Sequence, residues 1–183
     1  MRQALEPLER YVATPNLTKY RFFAWLASET LPDHQLIVFA RDDDYFFGVL
    51  HSRVHEVWAR ATGTQLREVE SGFRYTPTTC FETFSFPQPT PQQEAAIAAA
   101  AEGLNRLREG WLNPAPVGGL QVSETELKKR TLTNLYNQRP TWLSNAHATL
   151  DAAVFEAYGW PDQIDDSEIL ARLLELNLQR EPA

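Results

Sequence analysis

The sequence predicts an α+β fold: a small mixed sheet with a central helix, followed by an all-helical C-terminal region. Two observations carry this prediction. In the first half of the chain, short runs rich in β-branched and aromatic residues are bounded by turn residues. From residue 90 onwards, apolar residues recur only at helical spacing, and capping residues precede the helical segments. With 183 residues, 43% of them hydrophobic, the chain is long enough to build a packed core.

The N-terminal half alternates strand and helix patterns. Strands are predicted over residues 11–13, 20–26 and 36–41, which turn residues such as Pro15 and Pro32 separate. A helix is predicted from Asp42–Asp44 to Gly63, because apolar residues between these points recur at helical spacing. Residues 64–86 return to a strand-like composition.

Four helices are predicted in the C-terminal half. The first has Thr90 as N-cap, Pro91 at the first helical position, and a stripe formed by Ile97, Ala101, Leu104, Leu107 and Trp111. The second runs from Ser123 to Arg139 and Pro140, the third spans residues 142–158 and ends at Gly159, and the fourth starts near Asp166. This change of pattern divides the chain into two predicted domains, residues 1–89 and 90–183.

Composition restricts the function classes. The net charge is −7, with 9 Lys and Arg against 11 Asp and Glu in residues 1–87, so the acidity lies mainly in the second half. A nucleic-acid ligand would therefore be read here while other segments supply much of the phosphate contact. No apolar run reaches the ~20 residues of a membrane span, so no membrane partner is expected. The single Cys80 cannot form an internal disulfide; we interpret it as a packing residue and expect a cytoplasmic location.

No catalytic or metal site is predicted. His51 and His55 have the spacing of two metal ligands on a helix, but no third ligand accompanies them, and we interpret them as structural histidines. A zinc hydrolase remains the alternative at this pair. No glycine-rich turn suited to S-adenosylmethionine is found. Lys128, Lys129 and Arg130 are interpreted as a solvated basic face.

The segment Leu66–Thr79 is the strongest candidate for ligand binding. If it is a strand, its side chains alternate between two faces, with Glu70, Gly72, Arg74 and Thr76 on one and Ser71, Phe73 and Tyr75 on the other. In a DNA major groove, Arg can pair with guanine and Glu can accept from the cytosine amino group. The alternative from the residues alone is an amphipathic strand whose polar face meets water.

At these residues the sequence resembles the C-terminal part of the MmeI-like type II restriction–modification DNA methyltransferases. The segments RYVATPNLTKYRFFAWL and LIVFARDDDYFFGVLHSRVHEVWA resemble the strands and central helix of their target recognition domain. FRYTPTTCFETFSFPQP resembles its closing segment, and LKKRTLTNLYNQRPTWL with LDAAVFEAYGWP resembles the helical C-terminal domain. The sequence departs from the family pattern at Thr76, where Ser is usual, and at Glu82, where Asn is usual.

The resemblance implies a sequence-specific double-stranded DNA recognition module. The family's specificity positions fall on Glu70, Gly72 and Arg74, and a second determinant falls near residues 38–41, which include Arg41. We expect Thr76 to lie on the same face and expect phosphate contacts from Lys19, Arg53 and Arg67.

The resemblance also implies a larger parent enzyme. Such enzymes methylate adenine N6 with S-adenosylmethionine, and their catalytic and cofactor-binding motifs are not found in this sequence. The chain is therefore expected to be a portion without catalytic activity of its own, with double-stranded DNA and the methyltransferase domain of the parent as partners. The alternative is a non-catalytic module whose helices dock onto a partner protein and which binds no DNA.

Overall fold

Two small antiparallel sheets and a set of helices make up the chain in a computed structural model that describes residues 2–65, 72–116 and 122–179. The elements in chain order are α1 (Arg2–Leu5), β1 (Arg10–Pro15), β2 (Leu17–Thr18), β3 (Ala24–Ala27), β4 (Leu36–Phe39), α2 (Asp44–His51), α3 (Arg53–Thr62), β5 (Thr64–Gln65), β6 (Phe73–Arg74), a π-helical turn (Pro77–Phe81), α4 (Pro91–Leu112), α5 (Glu124–Leu127), α6 (Leu132–Gln138), α7 (Thr141–Tyr158) and α8 (Asp166–Gln179). The predicted α+β class is confirmed.

The strands differ in two respects from the predicted small mixed sheet. The first sheet has the order β3-β1-β4 and the second has the order β2-β6-β5, and all pairs are antiparallel. Asn16, between β1 and β2, joins them: its amide donates to Gln35 O and its carbonyl accepts from Tyr75 N, both at 2.8 Å. The chain therefore passes from one sheet to the other without losing backbone hydrogen bonds.

The predicted strands are only partly observed. Residues 11–13 lie in β1 and residues 36–39 form β4, whereas only residues 24–27 of the second run form a strand. Within 64–86, the described residues are extended only around β5 and β6, and the strand prediction is wrong at the π-helical turn Pro77–Phe81. Pro77 starts that turn because it has no amide hydrogen to lose, and Cys80 N donates to Thr76 O at 2.8 Å.

The predicted central helix is two helices. Ser52 has an extended conformation, with φ −69° and ψ 154°, and it interrupts the helix between α2 and α3. Its hydroxyl donates to Val49 O at 2.7 Å and accepts from His55 N at 3.3 Å. One side chain thus terminates α2 and caps α3.

The C-terminal helices mostly begin and end where their capping residues predict. Thr90 and Gln93 form a reciprocal capping box at the start of α4, and Gly159 ends α7 in the left-handed conformation. The helix predicted from Ser123 to Arg139 is instead two short helices, α5 and α6. Thr131 caps the second by accepting from Asn134 N at 3.2 Å.

One core cluster includes buried residues from both halves of the chain, among them Phe23, Phe47, Tyr75, Leu104 and Leu150. Helix α4 packs closely on α2 because Gly48 has no side chain. A Cβ added to Gly48 would lie only 2.8 Å from Ile97 Cγ2. The predicted division at residue 89 stays a prediction. In the described ranges, no helix is long and apolar enough to cross a membrane.

Candidate functional site

Arg74 stands out on β6 as an exposed cation between two buried aromatic residues. Phe73 and Tyr75 are 2% and 1% exposed, whereas the Arg74 side chain faces outward. This alternation agrees with the sequence prediction for these three residues. Its cross-strand neighbours are Leu17 on β2 and Thr64 on β5. Among the described residues, the Arg74 guanidinium has no hydrogen-bond or ion-pair partner.

Behind β6 lies a second arginine, Arg21, which is 6% exposed. It donates to Thr14 Oγ1 at 2.9 Å, to Pro15 O at 2.5 Å and to Phe73 O at 3.2 Å. Its guanidinium also lies 4.7 Å and 4.9 Å from the ring centres of Phe73 and Tyr75. Burial lowers the pKa of Arg21 to about 10, so it is still charged at neutral pH.

Tyr75 is fixed on its other side by His55. The Tyr75 hydroxyl lies 2.9 Å from His55 Nε2, and His55 Nδ1 lies 2.9 Å from Leu50 O. Burial lowers the pKa of His55 to about 3, so the ring is neutral and its Nδ1 donates to the carbonyl. Nε2 therefore accepts from the tyrosine hydroxyl.

Gly72 occupies a position that excludes any side chain. It is buried with φ +83°, and an added Cβ would lie 2.0 Å from Thr18 O. The predicted strand alternation, which placed residue 72 on the outward face with Arg74, therefore does not extend to Gly72. Its backbone approaches β2 too closely to leave room for a side chain. Gly72 contributes a close strand contact instead.

Thr76 and Cys80 anchor the chain after β6. Thr76 is half-buried, and its amide donates to Cys80 Sγ at 3.4 Å. The thiol of Cys80 is completely buried and donates to Ala59 O at 3.6 Å. This agrees with the interpretation of Cys80 as a packing residue.

The other predicted DNA-contacting residues do not form one cluster with Arg74. Lys19 is exposed and donates to Asn137 Oδ1 at 3.1 Å. Arg41 follows β4 and pairs with Asp43 at 2.7 Å, at the opposite end of β1 from Leu17. Glu70 and Arg67 lie outside the described residues.

Arg53 belongs to a cleft between α3 and the C-terminal helices. Both its Nε and one terminal nitrogen donate to Asp166 Oδ1, at 3.0 Å and 2.6 Å, and its amide donates to Asp151 Oδ1 at 2.7 Å. Burial raises the pKa of Asp151 to about 6. The cleft encloses about 270 Å³, and Arg21, Arg60 and Arg139 also line it. Arg74 is not among the lining residues.

His51 and Arg108 form a buried polar pair that connects α2 to α4. His51 Nε2 accepts from Phe23 N at 3.0 Å and from Arg108 at 2.6 Å, and a second Arg108 nitrogen donates to Phe23 O at 2.8 Å. Both ring nitrogens of His51 are thus used inside the protein, since Nδ1 lies 3.2 Å from Phe47 O. Together with His55 this agrees with structural histidines. Within the described ranges no group of three metal-ligating side chains occurs.

Sequence reasoning missed the two buried arginines. Arg108 is 1% exposed, whereas Leu107, predicted to lie in the apolar stripe of α4, is 44% exposed. The available signal was spacing, because Arg108 follows Leu104 by four residues, Ala101 by seven and Ile97 by eleven. Arg21 lies in the predicted strand 20–26, where the spacing of apolar residues does not indicate that it is buried.

Comparisons with known proteins agree on one family. Residues 13–88 match the family model described as MmeI, target recognition domain. DNA methyltransferase A of Bacillus subtilis (strain 168) is 29% identical over 151 residues, 81% of this chain and 15% of that protein. The solved structure of the type IIL restriction-modification enzyme MmeI in complex with DNA superposes with a TM-score of 0.72 and 22% identity. That match covers 93% of this chain and 21% of the MmeI chain.

The chain thus spans less than a quarter of the length of either relative. The family model lies within the N-terminal part of the chain, and the structural match extends through the C-terminal helices. The resemblance seen in the sequence is confirmed. Residues 13–88 match the family model of the MmeI target recognition domain, and the chain has the fold of the corresponding part of MmeI.

Proposed function

We propose that this chain binds double-stranded DNA and reads its sequence as the target recognition part of a DNA methyltransferase. The observation that carries the proposal is the exposed guanidinium of Arg74. It has no partner in the described part of the chain, and it projects from a strand inside the segment that matches a target recognition domain. A rigid backbone with a free cationic side chain is suited to reading a base edge.

The chemistry of Arg74 indicates its partner. A guanidinium can donate two parallel hydrogen bonds to guanine O6 and N7 in the major groove. Thr64 and Gln65, on the adjacent strand β5, are also exposed and carry hydrogen-bonding groups. Because β6 is the central strand of the three-stranded sheet β2-β6-β5, the long side chain of Arg74 would reach into the groove from the face of that sheet. Arg74 would therefore contact a base while β5 lies beside it.

The remaining predicted contacts are part of the same proposal. Glu70 would accept from a cytosine amino group, and Lys19 and Arg67 would contact phosphate. Arg53 would have to leave Asp166 to do so, since the ion pair at 2.6 Å uses two of its nitrogens. Because the net charge of the chain is −7, we expect its affinity for the DNA phosphates to be weak.

The parent enzyme would supply what this chain lacks. We propose that it methylates adenine N6 with S-adenosylmethionine and that its methyltransferase domain is the protein partner. The role of this chain in that enzyme would be to select the DNA site.

Binding to DNA tests the proposal directly. The 183-residue chain is used to select bound duplexes from a randomised DNA pool. Its affinity for the enriched duplex and for a shuffled duplex is then measured across a salt series. We expect a linear fall of log affinity with log salt concentration and tighter binding to the enriched duplex. No enrichment and no salt-dependent binding would contradict the proposal.

Replacing Arg74 by Ala tests the residue. We expect it to lower the preference for the enriched duplex by about 5- to 150-fold, which corresponds to about 1–3 kcal/mol for one bidentate contact. Arg106→Ala is the matched control, because it removes one positive charge from an exposed position on α4. Equal losses in the two variants would show that only charge matters.

A second candidate, docking onto a partner protein, is favoured by one observation. Leu174 and Leu178 are 53% and 79% exposed and lie four residues apart on α8, so they share one side of the helix. Replacing both with Ser should weaken association with a methyltransferase domain and leave duplex binding unchanged. If the wild-type chain binds such a domain but no DNA, docking is the function.

A further inference from the structure

Arg21 is a charged side chain that is 6% exposed, and none of its hydrogen bonds to the described residues goes to a carboxylate. The Glu56 carboxylate, which lines the same cleft, attracts it without a direct hydrogen bond among those residues. Its partners are one hydroxyl, two backbone carbonyls and the faces of two aromatic rings. Burial of an unpaired charge is unfavourable, and an apolar side chain of similar size would pack at lower cost. The position therefore calls for an explanation other than core packing.

The contacts of Arg21 converge on the residues either side of Arg74. One terminal nitrogen donates to the carbonyl of Phe73, the residue before Arg74. The same guanidinium lies over the rings of both Phe73 and Tyr75. The other terminal nitrogen is held by Thr14 and Pro15 at the end of β1. Arg21 thus ties the strand that carries Arg74 to the first sheet.

Thr14 makes this connection rigid. The Thr14 hydroxyl donates to Phe22 O at 2.8 Å and accepts from an Arg21 terminal nitrogen at 2.9 Å. The hydroxyl and the guanidinium therefore hold each other in one position. A second tie acts from the other side, since the Tyr75 hydroxyl donates to His55 and the Tyr75 amide donates to Asn16 O. The backbone of Arg74 is thus held on both sides, by Leu17 on β2 and Thr64 on β5.

We propose that Arg21 is a positioning residue for DNA reading: it fixes the backbone of β6 so that Arg74 presents its guanidinium in one orientation. The inference rests on the proposed function, because it assigns Arg21 to the same base contact. A base edge accepts two parallel hydrogen bonds only within a narrow range of geometry, so a mobile strand would lose sequence preference before it lost phosphate attraction. Arg21 is 6% exposed, so in this proposal it acts through the backbone of β6 and not by direct contact with a base.

The test uses the full chain with two duplex probes, one enriched from a randomised pool by the wild-type chain and one shuffled duplex of equal composition. The variants are Arg21→Met, Arg21→Lys, Arg74→Ala and the double variant Arg21→Met with Arg74→Ala. Methionine keeps much of the volume and removes the donors. Lysine keeps the charge, but its single nitrogen cannot reach both Thr14 and Phe73.

The proposal expects both single Arg21 variants to lower the preference for the enriched duplex by about fivefold or more, while affinity for the shuffled duplex and the salt slope stay unchanged. In the Arg74→Ala background, Arg21→Met should have no further effect on preference, because the contact that it positions is gone. Hydrogen exchange of the segment 72–76 should rise by about tenfold or more in Arg21→Met, whereas exchange in α7 stays constant.

Several results would overturn it. Equal losses on both duplexes, an additive double variant, or a wild-type preference in Arg21→Lys would each assign Arg21 to stability or charge alone. If Arg21→Met does not fold, Thr14→Val is the deciding variant, since it removes the hydroxyl that accepts from Arg21 at 2.9 Å. An unchanged preference in Thr14→Val would then overturn the proposal. If the wild-type chain prefers neither duplex, the proposed function fails, and the exchange experiment still decides whether Arg21 fixes β6.

Discussion

Lowering the pH from 7 to 5 is expected to destabilise the fold, because three histidines in its interior, His51, His55 and His147, must stay neutral. His51 accepts through Nε2 from Phe23 N and from Arg108, so a proton on that nitrogen would break both hydrogen bonds. Burial and the nearby Arg108 charge lower the pKa of His51 well below 6.5, and burial lowers that of His55 to about 3. Their stabilisation is present above the unfolded pKa of 6.5 and is lost as the pH falls below it.

The magnitude follows from proton linkage. A histidine that titrates at 6.5 when unfolded and stays neutral in the fold contributes about 2 kcal/mol of stability that is lost between pH 7 and pH 5. The loss is about 6 kcal/mol for His51, His55 and His147, since burial lowers the pKa of His147 to about 4. Asp151 acts in the opposite direction, because its pKa is raised to about 6 in the fold, and it returns about 1 kcal/mol. The net loss of about 5 kcal/mol is a large part of the 5–15 kcal/mol typical of a domain.

Equilibrium urea unfolding followed by tryptophan fluorescence at pH 7, 6 and 5 measures this loss. His55→Gln should reduce the pH-dependent loss by about 2 kcal/mol, since one of the three titrating histidines is removed. His34→Gln is the control, because the His34 side chain is 86% exposed. A wild-type free energy of unfolding that stays constant or rises between pH 7 and pH 5 would refute the reasoning.

Three backbone predictions can be checked by the same unfolding assay. Gly72→Ala should cost about 2 kcal/mol or more, because its Cβ would meet Thr18 O at 2.0 Å and φ is +83°; a loss below 0.5 kcal/mol would contradict the close contact. Arg139→Gly should stabilise by up to about 1 kcal/mol, because Arg139 ends α6 at φ 40°, and a clear destabilisation would instead reveal a side-chain role. Gly103→Ala should stabilise by about 0.5–1 kcal/mol, since nothing lies within 4 Å of the added Cβ on α4, and no gain would indicate an unrecognised contact.

Capping residues explain why the ends of the long helices could be predicted. Thr90, Pro91 and Gly159 act through local hydrogen bonds and backbone conformation, which neighbouring residues determine. The break at Ser52 was missed although a serine is a good cap, because apolar spacing continues unchanged across it. Hydrophobic periodicity reports which face is buried and does not report whether the helix is continuous.

Tertiary contacts explain what remained unpredictable at the candidate site. The outward direction of Arg74 followed from alternation with Phe73 and Tyr75, which is a local property. The buried conformation of Gly72 depends on the approach of Thr18, more than fifty residues away in sequence, and no local pattern encodes it. Arg21 likewise gains its role only from long-range partners.

The peptide group of Phe23 has a consequence for protein engineering. Its amide donates to His51 and its carbonyl accepts from Arg108, so two helices replace the neighbouring strand that would otherwise bond it. His51 lies inside the segment 13–88 that matches the target recognition domain, and Arg108 lies outside it. If the segment 13–88 were transplanted into a different scaffold, the buried carbonyl of Phe23 would therefore lose its hydrogen-bond donor. Such exchanges require a guanidinium at the equivalent of position 108 in the recipient, and the portable unit is larger than the segment that reads the sequence.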